Sequence, residues 1–182
     1  MTFAFRNSRF SSHVAWLILG VWIVLSALFM WRGFYSDYRL FISDSSRLKV
    51  EKIPEFGPQS EMTFLHFIDT DCACSRFSLP HIDEVEAAYP SIRHVRVTRD
   101  NVASIEREFS TLDWAIASPA VAVVSQEGLL NYYGPYTDSE ICGKGDSLVE
   151  IVVQSLESNK RFQWMNVLAY GCFCDWPVPL VS

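Results

Sequence analysis

The chain has 182 residues, 49% of them apolar and 20% charged, which is enough for one ordinary globular core with additional segments. A formal net charge of −6, with no visible cluster of Lys and Arg, excludes nucleic acid as a partner, because phosphate binding needs a basic surface. Five cysteines, Cys72, Cys74, Cys142, Cys172 and Cys174, are an odd set that cannot all pair within the chain, and four of them form two Cys-x-Cys pairs.

Residues 1–13 form an N-terminal tail. Val14–Trp31 then runs for 18 residues without a charge, about 27 Å as a helix, long enough to span a bilayer. Trp16 and Trp31 fall where amphipathic rings meet the two interfaces. A signal peptide usually has a shorter apolar run and a small-x-small cleavage site, which is not convincing after Ser26-Ala27, and a core helix would show a polar face. A single-pass, uncleaved membrane anchor at 14–31 is therefore expected. Arg6 and Arg9 precede the span, whereas Arg32, Arg39, Arg47, Lys49 and Lys52 follow it, so the Lys/Arg count alone would keep the C-terminal side in the cytoplasm. Residues 32–60 mix charges with Ser, Pro and Gly and read as a stalk, with a short strand near Leu48–Ile53.

A globular domain is expected over 61–158. Met62–Asp69 is nearly all apolar and suits a strand buried on both faces. Thr70-Asp71 breaks that run, and Ser75–Tyr89 places Phe77, Ile82, Val85 and Ala88 close to helical spacing. Cys72 and Cys74 thus fall at or just before a helix N-terminus, where unpaired N–H groups and the helix dipole favour a thiolate. Asp69 and Asp71 oppose that charge, and Arg76 favours it. Glu84 and Glu86 read as the solvated face of the helix, and His66 and His81 as packed or surface histidines.

Ile92–Thr98 alternates as a strand does, and Asp100–Phe109 reads as a short helix capped by Asp100 or Asn101. Val121–Val124 and Leu129–Tyr133, joined by a turn at Gln126-Glu127-Gly128, form a β-hairpin with Pro119 just before it. Tyr132, Tyr133 and Tyr136 belong to the core and rim of that hairpin. A loop around Cys142 leads to a helix from Asp146 to about Ser158, with Leu148, Ile151, Val152 and Leu156 on one face. Residues 159–182 are too apolar for a free tail and are expected to pack back, carrying Cys172-Phe173-Cys174 with them.

Cys72 at the end of a central strand, Pro80 eight residues later, Pro119 before the hairpin and Gly134 after it make residues 61–158, slightly over half the chain, similar to the thioredoxin family. Cys72 stands at the family's nucleophilic cysteine, Cys74 at its proline, and Ser75 at its resolving cysteine, so that Cys-Gly-Pro-Cys has become Cys-Ala-Cys-Ser. The resemblance implies an α/β fold, a thioredoxin-like mixed sheet with helices on both faces, preceded here by one transmembrane helix. It implies a cis peptide before Pro119, packed against the active-site cysteines. For a membrane-tethered member it implies a periplasmic or other extracytoplasmic domain, against the Lys/Arg count.

Thiol–disulfide exchange needs a nucleophilic thiol and a second thiol to resolve the mixed disulfide, and no cofactor. Cys72 fits the first role, with Cys74, Cys172 or Cys174 for the second. A Cys72–Cys74 bond requires Cys72 to lie in the loop before the first helical turn, since side chains two apart in a helix point to nearly opposite sides. The alternative chemistry is metal binding, with Cys72, Cys74, Cys172 and Cys174 as a four-thiolate zinc site or fewer of them as a Cu(I) site. His66 and His81 could then add ligands. A third reading is a non-catalytic interaction module, which a buried, unreactive Cys72 would favour. The expected function is thiol–disulfide exchange on a protein thiol or disulfide, anchored to a membrane.

Overall fold

The computed structural model describes residues 8–32, 38–42, 56–109, 112–139, 145–158 and 163–176. Cys142, the strand expected near Leu48–Ile53 and most of the 32–60 segment lie outside them. The chain divides into two units, Met1–Ser36 and Asp37–Ser182.

The first unit is a helix, α1 (Ser8–Met30). Its Ser12–Met30 portion is long and apolar enough to cross a membrane, a property that anchors share with signal sequences. Trp16, Leu17, Ile23, Leu25, Phe29 and Trp31 are all exposed.

The second unit opens with a short strand, β1 (Tyr38–Leu40), and then follows the order read from the sequence. Strand β2 (Thr63–Phe67) is buried at every residue, as its unbroken apolar character requires. Helix α2 (Ala73–Ala88) begins at Cys72 and carries Pro80 inside it. Strand β3 (Arg93–Val97), helix α3 (Val102–Phe109), the two-residue β4 (Ala117–Ser118) and the hairpin β5 (Ala120–Val124) and β6 (Leu130–Gly134) come next. Helix α4 (Leu148–Glu157) is followed by three short strands in the tail, β7 (Trp164–Met165), β8 (Tyr170–Cys172) and β9 (Cys174–Asp175).

The central sheet has the order β3-β2-β5-β6-β7, with β2 parallel to β3, β6 parallel to β7, and the remaining neighbours antiparallel. It is the expected mixed sheet with helices on both faces. Residue alternation sorts the core into two layers. Phe64, Val121, Val123 and Tyr132 face Ile82 and Val85 of α2 and Val149, Val152 and Val153 of α4. Leu65, Phe67, Ala122, Val124 and Tyr133 face Val102 and Phe109 of α3, together with Trp114, Phe173 and Trp176.

Local chemistry moves three of the expected details. Ser147, not Asp146, caps α4, its hydroxyl accepting from the Glu150 N–H, while Asp146 donates its N–H to Asp138. Ile151 is exposed, and the buried stripe runs through Leu148, Val149, Val152 and Val153. The Asn101 side chain accepts from the Thr98 N–H and donates to the Arg96 carbonyl, bracing the end of β3.

The tail is part of this core. β7 extends the central sheet, β8 pairs antiparallel with β1, and β9 pairs antiparallel with β4. Trp176 is fully buried, edge-on to Phe67, and Phe173 is edge-on to Phe41. Gly134 leaves room for the tail, since a Cβ there would come within 2.9 Å of the Asn166 Cβ.

Candidate redox centre

Cys72 occupies the N-cap of α2 in an extended conformation, and Cys74 is the helix's second residue. Their sulfurs lie near each other, yet each is bonded to a cysteine of the tail instead of to the other. Cys72 is bonded to Cys174 and Cys74 to Cys172, with Cα separations of 6.0 and 5.6 Å, inside the range a disulfide accepts. The two Cys-x-Cys pairs, spaced 102 and 98 residues apart, thus close crosswise. The sulfurs of Cys72, Cys74 and Cys174 all lie within 4.8 Å of one another.

The tail is delivered there by backbone pairing. In the β4–β9 ladder Ser118 faces Cys174 and Ala117 faces Asp175, and the Trp176 N–H donates to the Ile116 carbonyl at 3.0 Å. Arg39 on β1 reinforces it, donating to the Phe173 carbonyl at 2.7 Å and pairing with Asp175 at 3.1 Å. The Ser118–Pro119 peptide is cis. The Ser118 carbonyl lies 3.8 Å from the Cys72 sulfur, so the bend before Pro119 abuts the centre.

Beneath the disulfides lies a buried hydroxyl pair. Ser118 accepts from the Asp69 N–H at 2.8 Å and donates to the Phe67 carbonyl at 3.1 Å, and its remaining lone pair accepts from Ser75 at 2.8 Å. One side chain thereby ties the end of β2, the first turn of α2 and the loop before Pro119. Sequence reasoning placed Ser75 where a resolving cysteine would stand, but gave no role to Ser118.

The charges are arranged differently from what sequence order suggested. Asp69 is buried and Asp71 exposed, and both pair with Arg99 in the turn between β3 and α3, Asp71 at 3.3 Å. The hydrogen bond to Asp69 raises the pKa of the Arg99 guanidinium. The cation that offsets these carboxylates is therefore Arg99, 28 residues beyond Asp71 and invisible to a local reading.

Exposure separates the sulfurs. Cys72 is 3% exposed and Cys74 fully buried, whereas Cys172 and Cys174 are partly open. With all four sulfurs in disulfides, none is a thiolate, and a zinc or copper ion at this centre requires prior reduction. His66 and His81, the other candidate ligands for it, belong elsewhere. His66 is fully buried in a side-chain chain with Tyr136 and His94, and burial pushes its pKa down to about 3. His81 contacts Glu84 at 3.4 Å, and its ring is edge-on to Tyr136. Glu86, read as a solvated residue, is half-buried and chelated by Arg96 at 2.7 and 2.8 Å.

Residues 43–176 match the family described as "Domain of unknown function (DUF6436)". A comparison with curated proteins returns no match. Among solved structures, a hypothetical protein of Sinorhizobium meliloti aligns over 64% of this chain and 79% of its own at 14% identity, with a TM-score of 0.46. An uncharacterized conserved protein of Geobacillus kaustophilus aligns over 69% of this chain and 89% of its own at 11% identity, with a TM-score of 0.45. Mitochondrial thioredoxin 3 of Saccharomyces cerevisiae, in its oxidized form, aligns over 42% of this chain and 68% of its own at 23% identity, with a TM-score of 0.33.

Proposed function

We propose that this chain, which belongs to the DUF6436 family, is a membrane-anchored, thioredoxin-like thiol–disulfide oxidoreductase or isomerase that acts on protein thiols through Cys72. The observation that carries the reading is the crosswise closure of the two Cys-x-Cys pairs at the N-terminus of α2, against the cis Ser118–Pro119 peptide. The order of strand, cysteine, proline-containing helix, cis-proline and hairpin supports the thioredoxin-like assignment.

Of the two partly open cysteines of the oxidised centre, Cys172 and Cys174, it is Cys174 whose sulfur, when attacked, frees Cys72. A substrate thiolate attacks its sulfur, the Cys72–Cys174 bond breaks, and Cys72 leaves as a thiolate at the α2 N-terminus, where free N–H groups and the helix dipole lower its pKa. A second substrate thiol, after losing its proton to solvent, attacks the mixed disulfide and releases the Cys174 thiolate. The substrate gains one disulfide and the centre gains two electrons. Reduction of a substrate disulfide takes a separate route, in which the Cys72 thiolate attacks one substrate sulfur, the other leaves as a thiolate, and Cys174 then attacks Cys72, re-forming the Cys72–Cys174 bond and releasing the second substrate thiolate. Cys74, fully buried, exchanges with this couple internally through the nearby sulfurs of Cys72 and Cys174.

Disulfides persist in oxidising compartments, which favours an extracytoplasmic domain despite the Lys and Arg residues after the span. The burial of Cys72 favours a second reading, a static, non-catalytic interaction module whose disulfides only staple the tail.

Redox equilibration separates the two readings. The full chain in detergent is held in graded thiol–disulfide buffers, alkylated and mapped by mass spectrometry. An exchange centre titrates between about −120 and −270 mV, whereas structural bonds resist reduction to below about −300 mV. Resistance of both bonds until the protein unfolds would refute catalysis and leave the stapled module.

A further inference from the structure

On the opposite edge of the sheet from the tail, β2, β3 and α2 enclose a second cluster of polar groups. We propose that His66, His94 and Glu86 form a binding site for one divalent first-row transition ion of the zinc class, separate from the cysteines.

Parallel pairing sets His94 beside Phe64 and Arg96 beside His66, which brings both histidines to the face covered by α2. The His66 Nε2 and the His94 Nδ1 point at each other across 2.9 Å, and a Glu86 carboxylate oxygen lies within 4.8 Å of both. Two nitrogens bound tetrahedrally to one zinc stand about 3.3 Å apart, so an ion needs this gap to open by only about half an ångström.

The outer nitrogens are already held as metal-bound imidazoles are held. The His94 Nε2 donates its proton to the Tyr89 carbonyl at 3.0 Å, which leaves Nδ1 as a bare lone pair facing His66. The His66 Nδ1 meets the Tyr136 hydroxyl at 2.7 Å, an oxygen that can accept a proton from it. In that tautomer the His66 Nε2 is bare too. Two lone pairs then converge on one point, where a metal ion satisfies both as the shared proton does in the other tautomer.

Charge and access agree. The oxygens of Glu86 that Arg96 engages each keep a second lone pair. Arg96 is also paired with Asp83 at 2.5 Å, so one guanidinium faces two carboxylates and the cluster keeps a net negative charge. His94 and Glu86 are partly exposed and offer a way in, while fully buried His66 closes the inner end. The set of two imidazoles and one carboxylate suits zinc or cobalt, and three protein ligands leave a coordination position open to solvent.

The test uses the full, untagged chain in detergent, stripped with a chelator, with both disulfides intact and Cys142 alkylated, so that no thiolate can bind. Titration with Co(II) is expected to give visible d–d bands that saturate at one equivalent and disappear when Zn(II) is added. His94→Gln and Glu86→Gln change partly exposed side chains and should each weaken binding tenfold or more, with both disulfides still formed. No saturable binding overturns the proposal and assigns the cluster to the other tautomer, in which Tyr136 donates to His66 and His66 to His94. Saturable binding unaffected by either substitution overturns it as well. Neither result bears on the cysteines, which remain oxidised throughout.

Discussion

Ser118 and Cys174 face each other across the β4–β9 ladder, so the residue that precedes the cis-proline also positions the sulfur bonded to Cys72. Both partners are thus defined by backbone pairing and not only by the covalent bond. The Ser118 side chain points the other way in function, down into the joint between β2 and α2.

Replacing that hydroxyl tests the joint. In Ser118→Ala the Asp69 N–H and the Ser75 hydroxyl lose a buried acceptor, and the Phe67 carbonyl a donor. The expected cost is about 1–3 kcal/mol, because buried polar groups left unmade carry a desolvation penalty. Denaturant unfolding of the full chain in detergent measures it. An unchanged midpoint would mean that water replaces the hydroxyl and that the joint is open to solvent.

The cysteines should separate by role. Cys72→Ser abolishes exchange with a peptide disulfide, whereas Cys74→Ser retains the Cys72–Cys174 couple and a slower turnover. Stopped-flow reduction of a fluorogenic peptide disulfide reports both. Equal activity of Cys72→Ser and the unaltered chain would remove Cys72 from the mechanism.

Local sequence already carried the strand, the helix that follows it and the position of Cys72 at their junction, because apolar runs and helical spacing are short-range signals. The cis bond before Pro119 was not a local signal but an implication of the thioredoxin resemblance, located by the hairpin beside it. The pairing of Cys72 with Cys174 was not legible, since four cysteines allow three connectivities and spacing does not choose among them. The meeting of His66 with His94 depends on the β2–β3 register, and that of Asp69 with Arg99 on a loop 30 residues away, neither of which any local pattern encodes. Glu86 looked solvated because Arg96, its partner, lies on another element.

Arg99 supplies the next test. It is the cation paired with Asp69 and Asp71, and its removal leaves two carboxylates close in sequence to Cys72 without their counter-charge. In Arg99→Leu the Cys72 thiol of the reduced protein should titrate higher by about one unit, since an uncompensated negative charge disfavours a thiolate. The pH dependence of alkylation of Cys72, followed by mass spectrometry, reads the shift directly. A thiol that titrates at the same pH in both proteins would show that the α2 N-terminus alone sets its charge.

Trp176 decides whether the tail stays in place once the sulfurs are reduced. In the oxidised protein two disulfides hold residues 172–174 whatever else happens. In the reduced protein β7, β8 and buried Phe173 still tie residues 164–173 to the core, and the end of the tail beyond them is held by the β4–β9 pairing, the Arg39–Asp175 ion pair and the burial of Trp176 against Phe67. The ion pair is part-exposed and contributes little, so the indole is the main anchor. Truncating a buried tryptophan to alanine costs about 3–5 kcal/mol, enough to free the end of the tail beyond Phe173. Limited proteolysis of Trp176→Ala should therefore cut the tail only after reduction, while the unaltered chain resists in both states. A resistant reduced tail means that Cys172 and Cys174 remain beside Cys72 and Cys74 as thiols, ready to close again without a search. If the unaltered chain is cut as readily as the variant once reduced, the disulfides alone hold the tail, and each reduction would release Cys174 from the site where it must resolve the next intermediate.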